Sequence, residues 1–218
     1  MLILPEHQFI GRGNGRACYA HPDDGALCVK VSLNERGTRE SRRERLYLRR
    51  AVQRHGEQVH THIARLYEPV MTDRGRAWIA ERVRDEPSGA SSTLLRDALT
   101  RQALESDPDG WREALDDFTA WTSRSAIVFR DWSSTNLCVK RLADGQRRLV
   151  VIDGFAPKEV LLRWFPSRRH ARQRNRRYAE RAGIHSLETM AALCERERSR
   201  PDAHIASTPA DRPTPGRR

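Results

Sequence analysis

The chain has 218 residues, of which 38% are hydrophobic and 32% charged, and a formal net charge of +11; this is polar but within the range of folding domains, and long enough for one good core or two small lobes but not for two large domains. No apolar run approaches the roughly 20 residues of a membrane span, and the start MLILPEHQFIG lacks the basic n-region and long apolar stretch of a secretory signal, so a soluble cytoplasmic protein is expected. The charge is uneven: residues 1–157 hold 25 basic against 22 acidic side chains, residues 158–218 hold 15 against 7.

Residues 7–31 read as a strand hairpin, with Phe9-Ile10 leading into a glycine cluster and Ala17–Ala20 following it. His21-Pro22-Asp23-Asp24-Gly25 has turn chemistry, and Leu27–Val31 is the next strand. Residues 38–54 lack Gly and Pro and set Leu46, Leu48, Ala51 and Val52 among charges, as a surface helix does. Ile63–Met71 and Ala77–Val83 alternate apolar and polar residues around a Thr72–Gly75 turn, a second antiparallel pair. Asp85–Ser92 is rich in breakers and is the expected hinge.

Helices are expected over 93–104 and 110–125, the second with Trp111, Leu115, Phe118 and Trp121 or Thr122 as a core stripe. Ile127–Phe129, Leu137–Val139 and Leu149–Ile152 are short buried strands by their apolar content. Ser167–Arg181 forms a basic helix stopped by Gly183, and an amphipathic helix carrying Leu187, Met190, Ala191 and Cys194 follows. Prolines at 201, 209, 213 and 215 with few large apolar residues predict disorder beyond Arg200. Cys18, Cys28, Cys138 and Cys194 include no close pair, so reduced, mostly buried thiols and no disulfides are expected. His55, His60 and His62 have no acidic or cysteine cluster at ligand spacing and read as a solvated loop rather than a metal site.

Gly11, Gly13 and Gly15 lie between two strands, where glycines let backbone N–H groups approach phosphate oxygens. Lysine occurs only at 30, 140 and 158, so 37 of the 40 positive charges are arginine and Lys30, inside an apolar strand, calls for a reason. It can reach phosphates under the glycine loop if Glu44, or failing that Glu40, holds its ammonium group. Downstream, Asp131 and Asn136 are followed by Asp153 at the end of a buried strand. In phosphoryl transfer one Asp orients or deprotonates the acceptor hydroxyl, while an Asn and a second Asp hold magnesium.

With a glycine loop, a strand lysine, a helix glutamate, an Asp-x₄-Asn loop and a later Asp in this order, the chain resembles the protein-kinase-like superfamily. Gly11-Arg12-Gly13, Arg16-Ala17-Cys18-Tyr19-Ala20-His21-Pro22, Cys28-Val29-Lys30-Val31 and Arg43-Glu44 are similar to the PhoP regulatory network protein YrbL family, over about residues 8–165. The resemblance implies an α+β, two-lobed kinase-like fold: a β-rich N-lobe with one main helix over 1–84 and a reduced, mainly helical C-lobe core over 85–165. Basic and amphipathic helices over 166–199 and a tail over 200–218 complete the chain. It further implies Asp131, Lys30 and Glu44 as catalytic, Gly11, Gly13, Gly15 and Lys30 as nucleotide-binding, Asn136 and Asp153 as metal ligands, and ATP and Mg²⁺ as cofactors. The departures are Arg16 where the third kinase glycine would stand, Phe129 in place of the catalytic-loop histidine, Ile152-Asp153-Gly154 in place of Asp-Phe-Gly, and no recognisable activation segment.

Three functions follow: a phosphotransferase acting on an unidentified acceptor, a pseudokinase that binds nucleotide and regulates a partner, or a nucleic-acid binder using its basic C-terminus. All four polar groups of the first reading are retained, whereas a decayed site usually loses one. The seven arginines between 168 and 181 are expected to face solvent and attract an acidic partner in a salt-dependent way.

Overall fold

The computed structural model describes residues 1–125, 127–156 and 167–199. Strands β1 (Phe9–Arg12), β2 (Arg16–Ala20), β3 (Leu27–Ser32), β4 (Leu66–Thr72) and β5 (Gly75–Glu81) make one antiparallel sheet in the order β1-β2-β3-β5-β4. Directly paired residues share a sheet face. The row Ala17, Val31, Ala77 therefore turns one way, with Tyr19 and Val29, to bury a small core with Leu4. Cys18, Lys30 and Trp78 form a row on the opposite face, which puts the lysine on the side away from that core.

Between β3 and β4 runs helix α1 (Glu35–His55), three residues longer at its start than expected because Asn34 caps it, its side chain accepting the Gly37 N–H at 2.9 Å. The buried face of α1 is Gly37, Ser41, Glu44, Tyr47, Leu48 and Ala51, a stripe at helical spacing with Glu44 its one charged member. A Cβ on Gly37 would stand 2.0 Å from the Gly15 carbonyl oxygen, so this close approach of helix to glycine loop requires glycine.

The rest of the chain builds around a three-stranded antiparallel sheet of β6 (Thr93–Leu94), β7 (Leu137–Arg141) and β8 (Arg147–Val151). Helices α2 (Leu95–Ala98), α3 (Arg101–Ser106), α4 (Pro108–Ser125), α5 (Arg168–Ala182) and α6 (Leu187–Arg198) accompany it. The main core joins Tyr47, Leu48 and Ala51 of α1 to the α4 stripe, to Leu137, Leu149 and Val151, and to Met190, Leu193 and Cys194 of α6. α1 thus belongs to both halves of the molecule, while the five-stranded sheet keeps a separate core.

Two expected elements, the 93–104 helix and the 127–129 strand, are corrected. The helix expected over 93–104 is a two-residue strand followed by two short helices, because Thr100 breaks off to cap α3 by accepting the Ala103 N–H. Ile127–Phe129 makes no strand, only a bridge from Phe129 to Phe155. The breaker-rich segment 85–92 is pinned, with Asp85 N–H on the Ala90 carbonyl and the Asp85 carboxylate accepting from Ser92 Oγ and Arg141 N. The tail beyond Arg200 and residues 157–165 of the expected C-lobe lie outside the described residues. Cys18, Cys28, Cys138 and Cys194 are free thiols, and among the described residues no helix is long and apolar enough to cross a membrane.

His62 is not a solvated loop residue. It is fully buried, Nδ1 lies 2.8 Å from the Leu149 carbonyl, and its ring packs on Phe118 and Trp121. Burial lowers its pKa, and Asp117 at 3.3 Å only partly counters that. A histidine whose folded pKa is depressed contributes stability that is complete above its unfolded value of about 6.5 and is lost as pH falls through the folded one. Thermal melts should therefore show a lower midpoint at pH 5.5 than at pH 7.5, with a smaller drop in His62→Gln; an equal drop would remove His62 as a cause. Gly37→Ala sets a helix-propensity gain of about 1 kcal/mol against a backbone clash that overpacking precedents put at about 1–3 kcal/mol. A lower urea midpoint is expected, since the atom in the way is main chain.

Candidate functional site

The loop 130–136 is held in place by Gly154. Its carbonyl accepts from Arg130 N at 2.9 Å and Asp131 N at 3.1 Å, and Ile152 N donates to the Asn136 carbonyl at 2.9 Å. Gly154 has φ +78°, and a Cβ there would lie 2.8 Å from both Cβ and the carbonyl oxygen of Asp131 and 3.0 Å from Asn136 Nδ2. No other residue fits both the backbone conformation and the space. The sequence-expected trio of Asp131, Asn136 and Asp153 is thereby gathered at one junction. Asp131 accepts the Ser133 N–H at 3.1 Å and remains exposed.

On the facing side lies Arg16, the first residue of β2. Its Nη1 donates to Glu44 Oε2 at 2.6 Å and to Ser41 Oγ at 3.3 Å, and its Nη2 pairs with Asp153 Oδ1. The side chains of Arg16 and Glu44 are only 12% and 2% exposed and that of Asp153 26%, so this triad joins β2, α1 and the segment after β8 with its Glu44 end dry and its Asp153 end partly wet. Burial, reinforced by the charge of Asp153 and opposed by Arg16, raises the Glu44 carboxyl to about 7. Burial also works against ionised Asp153, but Lys30 and Arg16 outweigh it and hold that carboxyl below its ordinary value. Two adjacent carboxyls are thus driven apart in pKa, one toward the neutral form and one firmly ionised.

Lys30 departs from expectation. Its ammonium group donates to the Ile152 carbonyl, and among the described residues no carboxylate lies within ion-pair distance of it. Arg16 makes the Glu44 pair expected of Lys30, because its longer, forked side chain reaches both acids at once. Lys30 still acts on Asp153 and Glu44 through its charge. Glu40, the second choice, is taken by Arg130 at 3.3 Å and Arg36 at 3.3 Å.

The three glycines differ. A Cβ on Gly11 would meet nothing within 4 Å and one on Gly13 only the Arg16 carbonyl at 3.9 Å, so packing does not demand glycine at either position. Gly15 packs against Gly37, with 3.3 Å from a built Cβ to Gly37 Cα, and its carbonyl accepts the Leu33 N–H at 2.9 Å. Its role is to seat the loop on α1.

Sequence reasoning missed two residues of the site. Glu197, in the last turn of α6, accepts from Ser133 Oγ at 3.1 Å, from Ser134 N at 3.1 Å and from Ser134 Oγ, clamping the loop from outside. Asn175 of α5, 3% exposed, accepts Phe129 N at 3.2 Å and donates to the Ile127 carbonyl at 2.6 Å. A polar residue at a buried helix position was the available signal for Asn175; the surface charge pattern of α6 offered none for Glu197. Arg43 keeps Nε and Nη2 buried without a partner, and burial with the nearby Arg130 charge lowers its pKa. Positive charge at this end of α1 is in excess.

Comparison with known proteins places the chain among relatives of the family it resembles. The chain is 26% identical over 163 residues to a protein named YrbL of Escherichia coli (strain K12), covering 74% of this chain and 76% of that one, and equally to YrbL of Shigella flexneri. Residues 2–183 match the family described as PhoP regulatory network protein YrbL, and with most of its length so matched the chain belongs to that family.

Proposed function

We propose that the chain has a small two-lobed protein-kinase-like fold, binds Mg-ATP between the five-stranded sheet and the loop 130–136, and passes the γ-phosphate to an acceptor. The convergence of Lys30, Asp153, Asn136 and Asp131 on one junction, from three separate segments (β3, the loop 130–136 and the residues after β8), carries the reading. Gly11 and Gly13, glycines without a packing reason, leave room for phosphates beside β1. Asn136 and Asp153 are hard oxygen donors of the kind magnesium takes one or two at a time, with phosphate and water filling the remaining positions. They fit the ion on one condition: Arg16 now gives Asp153 its positive charge and must yield or share it. Bound Mg-ATP would supply an electrophilic phosphorus, which gains the acceptor oxygen while ADP leaves with the bridging oxygen. Asp131, exposed and fixed by the Gly154 junction, would take the hydroxyl proton.

A regulatory module that binds nucleotide without turnover is the second reading, favoured by Arg16 neutralising both acids and by Lys30 lacking its glutamate. The family's description as part of the PhoP regulatory network is compatible with either. The four free thiols suit a reducing cytoplasm.

Nucleotide-dependent thermal stabilisation, with and without magnesium, tests the site. Asp153→Ala should abolish the magnesium-dependent part under both readings; unchanged stabilisation would sink both. Asp131→Asn should leave binding intact and lower transfer or ATP hydrolysis about 10²-fold or more, the scale for losing a general base. Wild-type turnover no greater than that of Asp131→Asn selects the regulatory reading.

Arg16→Gln separates the ion pair from the metal. Breaking a buried pair costs about 3–5 kcal/mol when the remaining charge cannot escape, but Glu44 with its pKa near 7 can protonate. The loss in urea-unfolding stability should therefore be larger at pH 8 than at pH 6, and Glu44→Gln in the same chain should restore part of it. Magnesium-dependent nucleotide stabilisation should grow in the variant, because Asp153 is then free for the ion.

A further inference from the structure

Asp131 opens onto a pocket of about 320 Å³ between the loop 130–133 and the two C-terminal helices. From the loop come Arg130 and Trp132, from α5 Arg181, and from α6 Arg196 and Glu197. The volume is at the low end of small-molecule sites.

The charges in this pocket are not equivalent. Glu197 is committed to the two serines of the loop and Arg130 to Glu40. Arg181 and Arg196 are exposed and make no ion pair among the described residues. The uncommitted charge facing Asp131 is therefore two guanidinium groups, with Arg43 beside Arg130 adding positive potential from α1.

The arrangement is also built rather than incidental. Asn175 ties α5, and with it Arg181, to Ile127 and Phe129 immediately before Asp131. Glu197 ties α6, and with it Arg196, to Ser133 and Ser134 immediately after it. The Asn175 contacts are buried and the Glu197 contacts partly so, and together they hold the backbones of the two arginines and the aspartate in one frame.

We infer that this pocket binds the acceptor, and that the acceptor is a small hydroxyl-bearing phosphate ester. Its phosphate lies on Arg181 and Arg196, for which paired guanidinium groups are the fitting chemistry, and its hydroxyl is directed to Asp131. The inference rests on the phosphotransfer reading for its purpose, but its binding site can be tested without turnover.

The test is calorimetric titration of inorganic phosphate, glycerol 3-phosphate and glycerol into the whole chain at low salt, without nucleotide. Saturable binding of both phosphates and none of glycerol is expected, weakened at least tenfold in Arg181→Gln/Arg196→Gln and unchanged in Arg172→Gln, an exposed α5 arginine outside the pocket. Thermal melts should be the same for all three chains, since these side chains are at the surface. Absence of saturable phosphate binding, or equal weakening by Arg172→Gln, overturns the inference, the latter pointing to diffuse attraction of polyanions by α5. If Mg-ATP fails to stabilise the chain but phosphate binding still depends on Arg181 and Arg196, the phosphotransfer reading falls and the pocket stands. If Mg-ATP stabilises it and the double variant binds phosphate as well as the wild type, only the pocket falls.

Discussion

The guanidinium of Arg16, held between Glu44 and Asp153, is the contact on which the junction of the five-stranded sheet, α1 and the segment after β8 depends. It is the direct polar bridge from the five-stranded sheet to both the helix α1 and the segment following β8. A buried pair of this type adds little net stability over an apolar contact, yet removing one member leaves an uncompensated charge. Its value is therefore in position. As long as the triad is intact, the glycine loop, α1 and Asp153 have one relative placement, and Lys30 is left to bond a carbonyl rather than an acid.

That constraint is supported from beneath by the packing of α1. One helix face presents Gly37 to the glycine loop, then Glu44 to the triad, then Tyr47, Leu48 and Ala51 to the main core. Tyr47 continues this downward line, its hydroxyl accepting the Val128 N–H at 2.8 Å just ahead of the loop that carries Asp131. A shift of α1 along its axis would strain all three contacts together, so the sheet, the acids and the loop are coupled through a single rigid element.

Much of this was legible in the sequence where a physical signal was local. The strand-strand-strand-helix-strand-strand order, the α4 stripe and the Gly183 stop of α5 follow from periodicity and turn chemistry, and the structure has them. Local signals failed where tertiary contacts chose among equals. Thr93-Leu94-Leu95 contains no breaker, yet Thr93 and Leu94 pair with Val139 and Cys138 instead of joining a helix. His62 ends the polar run His60-Thr61-His62 and is buried because α4 supplies Phe118 and Trp121. Arg16 was visible only as the wrong residue for a glycine position. That it would complete an ion pair assigned to Lys30 depends on the reach of two side chains from adjacent strands, which spacing does not encode.

The chemical consequence is that the charge of Asp153 is already balanced by the protein's own cation. Asp153 is ionised and neutralised without any metal, whereas Asp131 on the same junction is exposed and bonded only to the amide two residues on. The two aspartates therefore differ before any ligand arrives: one is paired with Arg16, the other is exposed and has no ion pair among the described residues. Under the proposed reading a ligand that brings a divalent cation would compete with Arg16, and the Glu44 carboxyl, with its pKa near 7, can take up a proton if Arg16 leaves it. Release of Arg16 near neutral pH thus avoids stranding Glu44 as a buried negative charge, which makes the triad a contact that can open at modest energetic cost while still fixing the junction when formed.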